Sequence, residues 1–391
     1  MDPAATVDAE PTYFDHNATT PMDPRVRSAM LPWLDVHHGN PSSAHTCGRR
    51  AHQAMDDARS QVAGLIGADA GDVVFTATGS EANSMVIHAV AEAHDYRGHI
   101  VYGSIEHPSV RVASERLARG GIETTELRPG AEGLISPDAV ANALRDDTLL
   151  VCVMQANNEL GTIQPVAEIS ALCRKRGIPV LCDAVQAVGK IPVDVADLGV
   201  TYLTLGGHKF HGPLGAAALW VAPGAPLSPI VYGAAQEHGL RAGTENVPAL
   251  VGLGECADLA RRELDDRHRH LLSLRTRFED GLAALGDTVV HCADSPRLPH
   301  TTHVAFLGVS GHDLMLWLDG QGVAVSTGSA CHSGQPQPSR VLLHMGTSEA
   351  EARASLRVSF GVPNTPEEVD AFLNALAAGL PELRAGSLQH A

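Results

Sequence analysis

Between residues 72 and 222 six short apolar runs recur: "DVVFTA" (72–77), "HIVYGS" (99–104), "TLLVCVMQ" (148–155), "IPVLCDA" (178–184), "VTYLTL" (200–205) and "AAALWVA" (216–222). Segments such as "SEANSMVIHAVAEAH" (80–94) and "PVAEISALCRKRG" (165–177) lie between most of them, with apolar residues at helical spacing. Runs this continuously apolar predict strands buried on both faces, and their alternation with helices predicts a mostly parallel sheet sandwiched by helices. The pattern changes after about residue 255, where "ECADLARRELDDRHRHLLSLRTRFEDGLAAL" reads as one long charged helix able to bridge two lobes. Beyond it, short strands and helices alternate in an α+β manner up to a frayed tail, "RAGSLQHA". A chain of 391 residues exceeds what one core comfortably fills, so a large and a small domain are expected.

Composition narrows the function classes. A net charge of −17 without a basic stripe argues against a nucleic-acid partner. No apolar run approaches the roughly 18 residues of a membrane span, so no membrane association is expected. The opening "MDPAATVDAEPTYFD" lacks a secretory signal, so a cytoplasmic location is expected. Seven cysteines without a CxxC pair fit reduced thiols better than disulfides or zinc, and 21 dispersed histidines without HExxH give no metal motif.

In open α/β sheets ligands bind beyond the carboxyl ends of the strands, so the residues just after each run carry the chemistry. "LGGHKFHGPLG" sets Lys209 after a buried strand, between glycines and the histidines 208 and 211. A lysine so placed suits imine formation with an aldehyde, because burial lowers its pKa. "VLCDAVQAVGK" sets Asp183 at the end of another apolar run with Gln186 three residues on; the aspartate is either the partner of a protonated pyridine nitrogen or a helix cap. "TATGSEAN" offers Thr76, Thr78, Gly79 and Ser80 at a helix start, a phosphate site or an N-cap made by Ser80. His107 in "SIEHPSV" and the adjacent Asn157 and Asn158 in "QANNELGTIQP" are individually weak signals, the amides serving a ligand or only a turn. Cys331 in "SACHSG" sits among small residues, as an accessible nucleophile or a free surface thiol would. Arg357 inside the strand-like "SLRVSFG" calls for an anion such as a carboxylate.

Taken together, "YFDHNATTPMDPRV", "GNPSSAH", "TATGSEAN", "EHPSV", "NNELG", "CDAVQAVGK", "GGHKFHGPLG", "RAGTENVP", "SACHS" and "LRVSFG" resemble, in order from residue 13 to about 375, the NifS/IscS-type cysteine desulfurases. These belong to the class V aminotransferases with the fold-type I pyridoxal phosphate (PLP) architecture. The resemblance implies an α/β fold with a mostly parallel seven-stranded sheet between helices in a large PLP-binding domain over 25–255. A small α+β domain, over 1–24 and 256–391, would carry the cysteine loop. It further implies Lys209 as the cofactor-bearing lysine, Asp183 against the ring nitrogen, Gln186 at the ring hydroxyl, and His107 stacked on the ring and moving protons. Thr78, Gly79, Ser80 and His208 would hold the phosphate, with Thr244 reaching over from the other subunit of a homodimer. Asn158 and Arg357 would grip the carboxylate of L-cysteine. Cys331 would take its sulfur as a persulfide and pass it to an acceptor protein.

Some positions depart from the family pattern. Gly206 stands where serine is usual in the lysine motif, "DHNATT" replaces "DNAATT" and so puts His16 and Asn17 near the cofactor entrance, and "GVPNTPEE" lacks an arginine after the glycine. The stretch "ACHSGQPQPSRVLLHMG" is also similar to the loop of selenocysteine lyases, making L-selenocysteine the alternative substrate. Another PLP-dependent aminotransferase or β-lyase, with Cys331 a bystander, is a further alternative.

Overall fold

The computed structural model describes residues 10–328 and 337–387. Twelve strands are present among them: β1 (Thr12–Tyr13), β2 (Val73–Thr76), β3 (Gly98–Gly103), β4 (Ile122–Leu127), β5 (Thr148–Met154), β6 (Val180–Asp183), β7 (Tyr202–Gly206), β8 (Ala217–Val221), β9 (Thr288–Val290), β10 (Thr301–Phe306), β11 (Val323–Ala324) and β12 (Ser355–Ser359). The central sheet has seven strands in the order β2-β8-β7-β6-β5-β3-β4. Only β8 runs antiparallel to its neighbours, β2 and β7. The other six therefore end at one common edge.

Alternate residues of the central strands enter different clusters: Tyr102, Leu150, Leu181, Tyr202 and Leu219 pack on one face, Val101, Val151, Cys182, Leu203 and Ala218 on the other. Burial on both sides explains the continuous apolar runs. The strand without such a run is β4, "IETTEL", which stands at the sheet edge with most of its residues partly exposed. Its glutamates and threonines suit an edge that must not pair with another chain.

The helix Val247–Leu282 buries Leu250, Leu253 and Ala257 in the large apolar cluster that also holds one face of the central sheet, and Leu271, Leu274 and Phe278 in a separate apolar cluster. That second cluster surrounds β9, β10 and β12, and Phe14 joins it from the amino-terminal segment. The Phe14 and Phe278 rings each stack on Phe372 at 5.1 Å. β1 pairs with β11, and Asp15 bridges to Ser359. The last helix runs Pro366–Ser387, so the first residues of the expected frayed tail are helical. Among the described residues no helix is long and apolar enough to cross a membrane, and no cluster of side chains fits a metal ion.

Many of the histidines are interior. Burial lowers the pKa of His16 to about 3 and those of His211 and His291 to about 4. These rings are neutral when folded but protonate below pH 6.5 when unfolded, so acid binds preferentially to the unfolded chain. Stability should fall as pH drops from 6.5 toward 4, by about 2 kcal/mol per buried histidine at pH 5. Denaturant midpoints measured between pH 7 and 5 should decline accordingly; a flat profile would contradict it.

Candidate active site

Six parallel strands deliver their following residues to one edge of the sheet, and five of those loops carry the side chains singled out above. Asp183 closes β6, and Lys209 follows β7, its immediate parallel neighbour, within the short turn Gly207–Lys209. Thr78 follows β2, His107 follows β3 and Asn158 follows β5.

Lys209 Nζ donates to the backbone carbonyls of Asn17 at 2.6 Å and Ala18 at 2.7 Å. Burial, reinforced by the positive charge of Arg357, lowers its pKa to about 8, with Asp15 and Asp183 opposing. About a tenth of the amine is thus unprotonated at pH 7, far more than of an ordinary lysine.

Asp183 is buried, and its oxygens accept from Asn83 Nδ2 at 2.8 Å and the Val185 N–H at 3.1 Å. The second bond is a local turn, not a helix cap. No cationic side chain pairs with Asp183 among the described residues, so a cation arriving from a ligand would find an uncommitted carboxylate.

Asn83 is fully buried, and its Nδ2 also donates to Ser109 Oγ at 3.0 Å. Ser109 Oγ lies 2.8 Å from His107 Nδ1, which in addition accepts the Ser109 backbone N–H. With Nδ1 accepting, the neutral imidazole carries its proton on Nε2. Burial of the inward part of the ring and the charge of Lys209 lower the His107 pKa, against the pull of Asp183. Sequence reasoning quoted Asn83 at the end of "TATGSEAN" but gave it no role. Its signal was a polar residue on the inward, otherwise apolar face of the helix Gly79–Glu92.

At the amino end of that helix the cap is Thr78, whose Oγ1 accepts the Glu81 N–H at 3.0 Å, and not Ser80 as the structural alternative had it. Ser80 is exposed and its hydroxyl is uncommitted, while the first N–H groups of the helix remain for a ligand. A Cβ at Gly79 would stand 2.9 Å from Val185 Cγ2, so a larger residue there would have to push the Val185 side chain aside. His208 contacts Thr19 Oγ1 through Nδ1 at 3.1 Å, and burial brings its pKa to about 4. Around Gly206 the nearest atom to an added Cβ is 3.8 Å away, so the missing hydroxyl is a matter of chemistry, not of space.

Gln186 is buried; its Nε2 donates to the Asn17 carbonyl at 2.9 Å and its Oε1 accepts from Lys190 Nζ at 2.9 Å. The two asparagines after β5 divide the readings left open for them. Asn157 Oδ1 accepts the N–H groups of Glu159 and Leu160 and builds the turn, whereas the Asn158 side chain is uncommitted. Arg357, 6% exposed, bonds the Asn158 carbonyl at 3.0 Å through Nη1 and Asp15 Oδ1 at 2.6 Å through Nη2, and its Nε has no partner among the described residues.

His16 and Asn17 do not lie at an entrance, as expected, but in the interior, each 1% exposed. Asn17 Nδ2 donates to the Asn158 carbonyl and to Thr301 Oγ1, and its Oδ1 lies 2.7 Å from His300 Nε2. The His16 ring lies directly over the Cα of Gly361, leaving no room for a side chain there.

Thr244 is exposed and takes no part in this site within the chain. Cys331 falls within 329–336, outside the described residues. The other six cysteines are free thiols, and burial raises those of Cys152, Cys173 and Cys182. Glu159, missed from sequence, lies under Ser339, whose Oγ donates to it at 2.5 Å; burial raises its carboxyl to about 7.

A depressed lysine and a buried carboxylate on adjacent strand ends, a helix start free for an anion and an arginine with an open N–H define an α/β enzyme site built around a lysine. The chain belongs to the class-V aminotransferase family, whose model matches residues 12–372. It is 40% identical over 373 residues to the cysteine desulfurase IscS of Methanosarcina thermophila, covering 95% of this chain and 92% of that protein. A solved NifS-like protein superposes with a TM-score of 0.90 at 34% identity over 95% of this chain and all of that one. The structure of SspA in complex with cysteine matches with a TM-score of 0.80 at 34% identity, covering 90% of this chain and 99% of that one.

Proposed function

We propose that the protein is a PLP-dependent cysteine desulfurase that converts L-cysteine to L-alanine and retains the sulfur on Cys331 as a persulfide. The pairing of Lys209 with Asp183 across adjacent parallel strands carries the reading. The residues fit the cofactor: among the described residues Asp183 has no cationic partner and the Ser80 hydroxyl is free, at the start of a helix whose first N–H groups are open. Thr78, Gly79, Ser80 and His208 would hold its phosphate, Asp183 its ring nitrogen, Gln186 its ring oxygen and Lys209 its aldehyde carbon. When bound, PLP supplies an electron sink that eases loss of the substrate's Cα proton and weakens its carbon–sulfur bond.

The chain's own groups do the rest. Lys209, with a pKa of about 8, takes and returns a proton at the substrate Cα. Asp183 keeps a neighbouring ring cationic. Arg357 binds the substrate carboxylate beside the free Asn158 amide, its open Nε giving it a donor that Asp15 does not occupy. His107, its Nδ1 held by the Ser109 N–H, gives up its Nε2 proton to the site and takes the Cys331 thiol proton in its place. The Cys331 thiolate bonds to the substrate sulfur as the carbon–sulfur bond breaks. The electron pair of that bond stays with carbon and takes up a proton, so one cysteine and one thiol become one alanine and one persulfide, with no external oxidant.

We further infer a homodimer in which Thr244 serves the cofactor of the second copy. The exposed Tyr232, at 81%, and Leu214, at 71%, suit a covered surface. A division into 25–255 against 1–24 with 256–391 is supported by the separate cluster around Phe14, Phe278 and Phe372. A cytoplasmic setting and a protein acceptor for the sulfur complete the proposal.

The test is to give purified protein L-cysteine or L-selenocysteine separately, quantify alanine and look for the Cys331 persulfide by mass spectrometry. With L-cysteine, Cys331→Ser should lower alanine formation by at least about a hundredfold. Unchanged turnover would make the cysteine a bystander in a β-lyase or aminotransferase. Turnover of L-selenocysteine alone, surviving the substitution, would identify a selenocysteine lyase.

A further inference from the structure

A second lysine lies behind the first. Lys190 is 5% exposed, and the partner of its Nζ among the described residues is Gln186 Oε1 at 2.9 Å. It lines a small interior cavity with His16, His211, His300, Arg267 and Lys209, and no aspartate or glutamate borders that cavity. The charge of Arg267 is taken by Glu263 at 2.8 Å. Burial and the charges of Lys209 and Arg357 hold Lys190 well below the ordinary lysine range.

What such an amine does follows from the amide it touches. A glutamine offers a donor end and an acceptor end, and which is which is fixed by its partners. The Asn17 carbonyl can only accept, so the end of Gln186 facing it is Nε2, at 2.9 Å. Oε1 is thereby left facing Lys190 in the interior, where an unpaired oxygen would be costly. Lys190 supplies the missing donor. The same Asn17 carbonyl accepts from Lys209 Nζ at 2.6 Å, which puts the donor end of Gln186 beside the reactive amine.

We propose that Lys190 is a positioning residue: by occupying Gln186 Oε1 it locks the amide so that Nε2 is the end presented at the Lys209 site. The proposal rests on the reading that Lys209 carries PLP and that Gln186 meets the ring's phenolic oxygen. An N–H donated to that oxygen favours its anionic form and so lowers the pH at which the loaded enzyme loses its proton. A loosened amide donates less and lets that pH rise.

The experiment is a pH titration of the visible absorption band of the PLP-loaded enzyme. Lys190→Met, which keeps the volume and removes the donor, should raise the midpoint by about half a unit or more. Lys190→Gln restores a donor and should return the midpoint to that of the wild type. Gln186→Ala should raise it, and adding Lys190→Met to that variant should raise it no further, because the lysine acts only through the amide. An unmoved midpoint in Lys190→Met, or a shift that persists in the Gln186→Ala background, overturns the proposal. If Lys190→Met does not fold, Lys190→Gln decides with Gln186→Ala: a wild-type midpoint in the first and a raised one in the second support it, and any other pair overturns it. A wild-type enzyme with no visible band overturns the cofactor reading and this inference with it, whereas a normal band with an unmoved midpoint overturns this inference alone.

Discussion

Lys209→Ala is expected to abolish turnover of L-cysteine, by at least about a thousandfold, and to remove the visible absorption of the PLP-loaded protein, with secondary structure unchanged. On the proposed reading two tasks fall on one amine: bonding the cofactor's aldehyde and moving the substrate's Cα proton. Neither can pass to Lys190, whose Nζ is directed at Gln186 in the interior. The lowered pKa sets the pH dependence. Only the unprotonated amine attacks an aldehyde, so uptake of PLP by the free protein should accelerate from pH 7 through 8 and level off above 9, since the pKa is about 8. An ordinary lysine would keep accelerating beyond pH 10. A variant that retains the band, or an uptake rate still climbing at pH 10, would remove Lys209 from the centre of the site.

The central sheet was legible because its physics is local. Strands buried on both faces must be apolar throughout, and each of the six runs became a strand within about two residues of its expected ends. The exception, β4, sits at the edge, where burial asks little of its side chains and its glutamates hid it. The residues after each strand were legible for the related reason that parallel strands share a carboxyl edge, so sequence order alone gathers Thr78, His107, Asn158, Asp183 and Lys209.

What sequence could not give was the contribution of segments far apart in the chain. Asp15, His16 and Asn17 read as an altered motif at a rim; in the fold Asp15 and Asn17 tie β12, β10 and the Lys209 turn together through Arg357, Thr301 and the Asn17 carbonyl. Nothing local to "DHNATT" announces a partner more than 280 residues away. Asn83 and Lys190 were overlooked for a different reason. Each stands in a helix or turn pattern where a polar residue reads as solvent-facing, and only the packing reveals that it faces a carboxylate or an amide. The side chains at the strand ends were thus easier to find than those packed against them.

Asp183→Asn should bind PLP yet lose turnover by about a hundredfold to ten-thousandfold. The substitution is nearly isosteric, but the Val185 N–H and Asn83 Nδ2 donate to different oxygens of Asp183, so the amide oxygen keeps one of these bonds and the other donor faces the new NH2 group. What disappears is the negative charge in a site where it has no other competitor: the cations nearest to it, Lys209 and His107, are held toward their neutral forms. A ring nitrogen facing an amide gives up its proton, and the electron sink weakens with it. Binding and chemistry should therefore separate, with affinity for PLP changed far less than the rate of Cα-proton exchange, read as deuterium incorporation into alanine or recovered cysteine. Asp183→Glu should fail differently, because the longer side chain keeps the charge but must displace Asn83, and through it Ser109 and the His107 ring. Equal losses of affinity and exchange in Asp183→Asn would mean that the carboxylate only supports the fold, and the pairing of charge across adjacent strands would no longer explain the site.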